Sequence, residues 1–482
     1  MIGSGLVLAL CLAAGMVLGL ARELLIIGRW GASGATDALL VALFLPEALR
    51  LILASGLVSS AAMALWLLHR DQASAADWLA SQGVALMSLA VALGLLLHLA
   101  AGAVIALIGP GLDAADRGFG RETLAIAAWC LPGLLLHALL AVVHQADQRF
   151  VLAGLGSVLF NLPAVAYLVL SGAGAGHQGF AWSLVLGSVL MPVVLLPHVW
   201  RRGWRPGVLR LRWRYVQDLG LRLLPLGLGA GAAQAAVLLE RVLGSLLPEG
   251  SVALLNLARK LIGVPAIAIN SLGQVALARF ASKLHAPAAD AAVAQLTTAL
   301  SWLAIMALPV ALALAGWAGT AAVLLPGADA GDGEALAALL RVLAIGLVPA
   351  GFNVLLVRWC FAQGRMMQPT TLELLGTAAQ LLATLVAFPL LGLISLPLGA
   401  LVGAAVSMGL LLSVAPAELR AVRWAAFVAI QGLLVLSAGA WAAGIPSPAL
   451  LVAVLQAGLF AGAGWLLLWL GARRLRLLDP GA

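Results

Sequence analysis

The sequence predicts an all-α polytopic membrane protein of about 14 transmembrane helices, on three observations. The 482 residues are 63% hydrophobic and only 10% charged, where soluble domains carry about 25% charged residues. The mean hydropathy is +1.10. Apolar runs of about 20 residues, each enough to cross roughly 30 Å of hydrocarbon, recur along the whole chain and leave no stretch for a soluble domain.

Reading apolar runs between turn signals gives spans at 2–29, 36–68, 77–109, 122–144, 151–172, 178–200, 218–247, 251–282, 290–325, 334–362, 369–391, 396–415, 421–444 and 447–471. Met1-Ile2-Gly3-Ser4 lacks the basic start of a cleavable signal, so the first run is expected to be a retained helix. Several runs exceed the bilayer and imply tilt or extension into water. Cys11, Cys130 and Cys360 lie far apart inside apolar runs, as small buried hydrophobes rather than metal ligands.

The basic residues set orientation. Alternate connections hold Arg70, Arg149, the run from Arg201 to Arg214, Arg279 and Lys283, Arg365, Arg420 and Arg423, and Arg473, Arg474 and Arg476, 16 cations in all. The opposite connections hold three, Arg29, Arg117 and Arg121, among the acids Asp113, Asp116, Glu249, Asp329, Asp332 and Glu334. This positive-inside bias puts both termini in the cytoplasm, which requires an even number of spans. The same distribution assigns the pI of 10.6 to topology rather than to nucleic acid.

The segment Arg201–Asp218 (RRGWRPGVLRLRWRYVQD) divides the chain. Its alternating basic and aromatic residues suit either a linker lying on anionic headgroups or a plain topogenic loop. The expected organisation is an N-lobe at 1–200, a basic cytoplasmic linker at 201–217, a C-lobe at 218–415, and a C-terminal helix pair with a cytoplasmic tail at 416–482. A weak repeat crosses the divide. LARELLIIGRWGASGATDALLVAL and LLERVLGSLLPEGSVALLNLA each place a charged pair, Arg22-Glu23 or Glu240-Arg241, shortly before a Gly-containing turn.

Charges inside the spans carry the functional signal: Arg22, Glu23, Glu47, Arg50, Glu240, Arg241, Arg259, Lys260, Arg341, Arg358 and Glu373. A basic residue at mid-helix costs about 2.5–3.5 kcal/mol to insert. Seven cations facing lipid would cost on the order of 20 kcal/mol, above a typical stability of about 5–15 kcal/mol. They must pair, snorkel or face water. Glu47 and Arg50, three apart beside Pro46, suit a local ion pair. The remaining cationic excess suits a hydrated chamber for an anion such as a pyrophosphate, and interhelical pairing is the other reading. On span 11, Glu373, Thr377, Gln380 and Thr384 form a polar stripe. With Glu240 it could hold Na+ or accept a proton as the coupling ion, or it could be a hydrogen-bonded helix seam. The seven histidines show no partner pattern, and no Walker loop, zinc site or catalytic triad is present.

The first two spans carry a resemblance. The string GLARELLIIGRWGASGATDALLVALFLPEALRLILASG resembles the opening signature of the MurJ/MviN family of lipid II flippases, with its Ala-Arg-acid, Thr-Asp-Ala and Leu-Pro-x-x-Leu-Arg elements. LLPEGSVALLNLARKLIGVPAIAI and FAQGRMMQPT resemble later family segments. The resemblance implies a MATE-like fold of the MOP superfamily, with two six-helix lobes and two C-terminal helices forming a groove for a lipid tail. It implies a transporter rather than an enzyme, and a cationic cavity for a diphosphate headgroup. Arg22, Arg50 and Lys260 match the family's cavity cations, and Asp37 matches its acid near the start of the second span. Arg259 and Arg241 are expected beside them at the substrate. Glu240 falls where the family has a sodium-associated acid or amide.

Three positions depart from the pattern: Met16 replaces an arginine, Ser55 a glutamate, and Arg259 an acid. The expected activity is flipping of an undecaprenyl-pyrophosphate-linked saccharide, with lipid II first, across the bacterial inner membrane by a monomeric transporter in contact with membrane lipids. The departures leave an exopolysaccharide or O-antigen unit as the alternative cargo. A MATE-type drug or cation antiporter fits less well, because it would need a net acidic cavity.

Overall fold

The computed structural model describes residues 2–54, 57–70, 72, 74–201, 211–266, 289–325, 330–365, 367–415 and 466. Its regular elements are helices: α1 (Ile2–Trp30), α2 (Gly34–Ala54), α3 (Leu57–His69), α4 (Ala75–Leu99), α5 (Ala101–Ile108), α6 (Ala114–Ala127), α7 (Cys130–Ala146), α8 (Phe150–Gly154), α9 (Gly156–Ser171), α10 (His177–Arg201), α11 (Trp213–Ser245), α12 (251–266), α13 (Ala289–Gly316), α14 (Ala330–Ala362), α15 (Met367–Leu391) and α16 (Ser395–Ser413). Among the described residues, seven stretches are long and apolar enough to cross a membrane. This chain is an all-helical, multi-pass membrane protein. Spans 13 and 14, and the expected C-terminal pair at 416–482 apart from Leu466, lie outside the described residues. So do residues 202–210 of the linker.

Local chemistry explains where the helices start and stop. Gly31 ends α1 in the left-handed region at φ +74°, where a side chain would be strained. Ser33 then caps α2, its Oγ accepting the Thr36 N–H at 3.4 Å, while Thr36 Oγ1 donates back to the Gly31 carbonyl at 2.7 Å. Asp113 caps α6 by accepting the Asp116 N–H at 2.7 Å.

The expected fourth span proves to be two helices, α6 and α7, parted at Ala128–Trp129. Pro132 accounts for the break, because its ring excludes the Ala128 carbonyl from the helical ladder. The third span likewise divides into α4 and α5 at Ala100. Helix α11, expected as the seventh span from residue 218, starts at Trp213, inside the segment read as linker. Its leading residue Arg212 is tied down, with its guanidinium on Asp77 and its N–H on Ser81 Oγ at 3.0 Å.

By packing, the chain divides into two compact units, Met1–Ala253 and Leu254–Ala482. The first has a core built on Ile26, Leu39, Leu43, Ile105, Leu134 and Phe160, with a second cluster around Trp66, Trp78, Leu139 and Val142. Helix α11 packs against α2, α3 and α4 and so belongs to this unit. In the second unit, α14 packs against α13 and α16, and α15 against α16.

Small residues let helices touch, as packing in lipid demands. Gly133 lies against Ser188, and Gly187 against the Phe160 carbonyl. In the second unit Gly376, Gly399 and Gly403 meet Ser407, Thr384 and Gln380. Outward-facing Leu99, Leu107, Leu170, Val386 and Leu390 are apolar, as contact with acyl chains requires.

Candidate functional site: a buried charge cluster in the first unit

Arg22 sits where α1 and α9 cross. The crossing is close because Gly15 and Gly19 face Ser157 and Asn161: a Cβ on Gly15 would stand 2.5 Å from Ser157 Cβ. These pairs are each one helical turn apart on their own helix, so the two faces mesh in register. Asn161 Nδ2 donates to the Ser157 carbonyl at 2.8 Å and to the Gly15 carbonyl at 3.4 Å, which orients its Oδ1 towards Arg22.

The Arg22 guanidinium is then enclosed. Nη1 donates to Asn161 Oδ1 at 3.1 Å, and Nη2 donates to Glu23 Oε1 at 2.9 Å and to Glu47 Oε1. Arg22 and Glu23 are each 1% exposed, whereas Glu47 keeps 21%. Arg22 Nε is buried with no hydrogen-bond partner among the described residues.

Pro46 precedes Glu47 in α2, and Arg50 follows one turn later. Arg50 is half-buried. Its Nη1 donates to Ser157 Oγ at 3.5 Å, and its guanidinium lies 5.1 Å from the centre of the Phe160 ring, a cation–π arrangement. Arg50 Nε, too, is buried with no hydrogen-bond partner among the described residues. Among the described residues, the guanidinium groups of Arg22 and Arg50 and the carboxylates of Glu23 and Glu47 come together here. Glu47 was expected to pair along its own helix with Arg50; in the structure its ion pair is with Arg22, and Arg50 lies within charge-interaction range. Arg22, expected as an open cavity cation, is instead buried and paired. Ser157 and Asn161 were not anticipated; their signal was the spacing of small and amide residues opposite Gly15 and Gly19.

Asp37 also differs from the expectation of a substrate contact. It is 2% exposed, and it accepts the Gly250 N–H on Oδ2 at 2.9 Å and the Ala253 N–H on Oδ1 at 2.8 Å. Gly250 precedes α12 and has no side chain with which to cap it. Asp37 supplies the cap from α2, binding the amides at the N-cap and N3 positions. Gly250 has φ +85°, and a Cβ there would crowd the Ala32 carbonyl at 2.6 Å. Beside this corner the Gly34 N–H donates to Glu249 at 3.3 Å, and the Gly111 N–H to Ser245 Oγ at 3.2 Å. Arg241 lies within charge-interaction range of Asp37, and Glu240 is 3% exposed.

In the second unit, Arg259 and Lys260 stand side by side on α12, both half-buried and both engaged in interactions. Glu373 lies on the exposed side of α15, within electrostatic reach of Arg358 on α14. Thr377 Oγ1 donates to the Glu373 carbonyl at 3.0 Å. Gln380 and Thr384 pack into Gly403 and Gly399 of α16, so the inner half of the stripe is a helix seam. Asn353, unremarked in the sequence, donates from Nδ2 to the Ala404 carbonyl at 3.0 Å and joins α14 to α16.

Among the described residues, two histidines have carboxylate partners. His198 Nε2 lies 2.7 Å from Asp147 Oδ2, with the His144 ring 4.8 Å away. His177 meets Glu122 at 3.0 Å.

Comparison with known proteins bears on what this arrangement serves. Residues 29–459 match a family model described as lipid II flippase MurJ. A curated lipid II flippase MurJ from Burkholderia cenocepacia is 27% identical over 82% of this chain and 80% of its own length. A solved structure of lipid II flippase MurJ in an inward closed conformation superposes with a TM-score of 0.82 at 16% identity, covering 98% of this chain and 99% of the other. A eukaryotic MATE transporter, AtDTX14, follows at a TM-score of 0.61 and 15% identity, over 92% and 99% of the two chains.

Proposed function

This chain belongs to the lipid II flippase MurJ family, and from that membership we propose that it carries lipid II from the cytoplasmic to the periplasmic leaflet by alternating access. It is a transporter and not an enzyme, with a lipid-linked substrate and a MATE-like fold. The observation that carries the reading is the family match over 29–459 together with paired guanidinium groups held inside an apolar helical unit. A diphosphate is the headgroup element that such groups bind best, because phosphate oxygens accept the forked N–H donors of arginine.

In this proposal Arg50 makes the direct phosphate contact. It is the more open of the two arginines, and Ser157 and Phe160 hold its side chain from below. Arg22 contributes once its carboxylate partners allow it. Arg259, Lys260 and Arg241 are further substrate cations to be tested one by one, and Glu240 and Glu373 are the coupling candidates for Na+ or a proton. The proposed organisation is 1–200 and 218–415 as lobes, 201–217 as linker and 416–482 as the tail-binding pair. The protein is proposed to work as a monomer in the inner membrane with both termini cytoplasmic.

Complementation tests the cargo. Expression in a strain depleted of its lipid II flippase is expected to restore growth, and Arg50→Ala is expected to abolish rescue at wild-type protein levels. Loss of one hydrogen bond to a charged group costs about 1.5–3 kcal/mol, a weakening of roughly 10- to 150-fold. Failure of well-expressed protein to rescue, with rescue of an exopolysaccharide export mutant, moves the cargo to that lipid-linked glycan. Met16, half-buried on α1 where the family has an arginine, favours keeping this second reading in the test.

A further inference from the structure

The two arginines of the cluster are held in different ways. Arg22 gives its guanidinium to the acceptors Asn161, Glu23 and Glu47. Arg50 reaches one hydroxyl, Ser157 Oγ at 3.5 Å, a distance at the outer limit of a hydrogen bond. Its guanidinium lies over the Phe160 ring, 5.1 Å from the centre, and Glu47 is within charge-interaction range. A guanidinium carries five N–H donors. Arg50 uses one of them on Ser157, and the others, Nε included, find no acceptor among the described residues.

We propose, on the diphosphate reading above, that Phe160 is a positioning residue for substrate binding: its ring holds the Arg50 guanidinium in place and leaves the donors open to phosphate oxygens. An aromatic ring attracts a cation through its negative face and takes up no particular N–H. A carboxylate, by contrast, occupies a guanidinium fork. Held by a ring, Arg50 is ordered yet keeps its hydrogen-bonding capacity. The ring itself is fixed, since Phe160 is 2% exposed and Gly187 of α10 packs against its carbonyl. One turn of α9 thus serves both arginines, because the next residue, Asn161, orients Arg22. Phe160 acts through Arg50 and need not touch the headgroup. Without the ring, binding must order a long side chain, which weakens affinity roughly 2- to 12-fold.

The test uses the full chain in phosphatidylcholine nanodiscs with undecaprenyl pyrophosphate as the probe. Fluorinated phenylalanines introduced at position 160 keep the shape of the ring and weaken its negative face with each fluorine. The Kd is expected to rise stepwise through one, two and three fluorines, by up to roughly 2- to 12-fold, at an unchanged melting temperature. A side chain that only fills space would show no such gradient. The same replacements at Phe180, which packs against Trp30, are expected to leave the Kd where it was. Phe160→Leu removes the ring and is expected to weaken binding by the full amount. A flat series at position 160 in protein of wild-type melting temperature, or an equal gradient at both positions, overturns the positioning role. Absence of probe binding in the wild-type protein instead overturns the diphosphate reading on which it rests.

Discussion

Replacing Asp37 separates a structural carboxylate from a substrate-binding one. In the structure its two oxygens accept the Gly250 and Ala253 amides at 2.9 and 2.8 Å from a site 2% exposed. A hydrogen bond to an ionised group contributes about 1.5–3 kcal/mol, so Asp37→Ala removes about 3–6 kcal/mol, a large share of a typical 5–15 kcal/mol total. Asp37→Asn keeps one carbonyl acceptor and is expected to lose about half as much. Thermal unfolding of the purified protein in detergent should therefore rank wild type above Asn above Ala. Binding of undecaprenyl pyrophosphate by the fraction still folded at low temperature should be unchanged. A variant with wild-type melting and lost binding would refute the capping argument and return Asp37 to the substrate.

Two further substitutions probe packing and backbone. Gly399→Val drives a side chain into Thr384 Oγ1 and the Gln380 carbonyl; overpacking of this kind costs about 1–3 kcal/mol and should lower the melting temperature. If that variant melts normally but loses its dependence on Na+ or pH, the stripe serves coupling rather than the helix seam. Gln148 adopts φ +60° just after α7, a conformation that costs a residue with a Cβ about 1–2 kcal/mol. After the extra chain entropy of glycine is deducted, Gln148→Gly should raise stability by roughly 0.5–1 kcal/mol in the same melting assay.

The helices were legible because the bilayer imposes one length scale and one polarity on every span. The runs at 2–29, 178–200 and 369–391 coincide with α1, α10 and α15 to within a few residues. Breaks inside spans were harder to see. Pro132 signals the α6–α7 interruption to a reader who asks which carbonyl its ring excludes, but nothing around Ala100 marks the α4–α5 division. The start of α11 at Trp213 was hidden by composition. Basic residues read as loop, yet the docking of Arg212 on Asp77 and Ser81 organises the turn that begins the helix.

The site was legible as a set of charges and opaque as a set of partners. Insertion cost marks Arg22 and Arg50 among the seven cations inside the spans, since an arginine in an apolar helix must be held by a partner or by water. Who neutralises Arg22 depends on how α1, α2 and α9 cross, and that depends on Gly15 and Gly19 admitting Ser157 and Asn161. None of these four carries a charge. Counting cations over the whole chain therefore overstates the positive potential at any one place, because the excess is global and pairing is local. The relevant quantity is the set of partners within hydrogen-bond reach, and for the Arg22 guanidinium it is Asn161, Glu23 and Glu47 among the described residues.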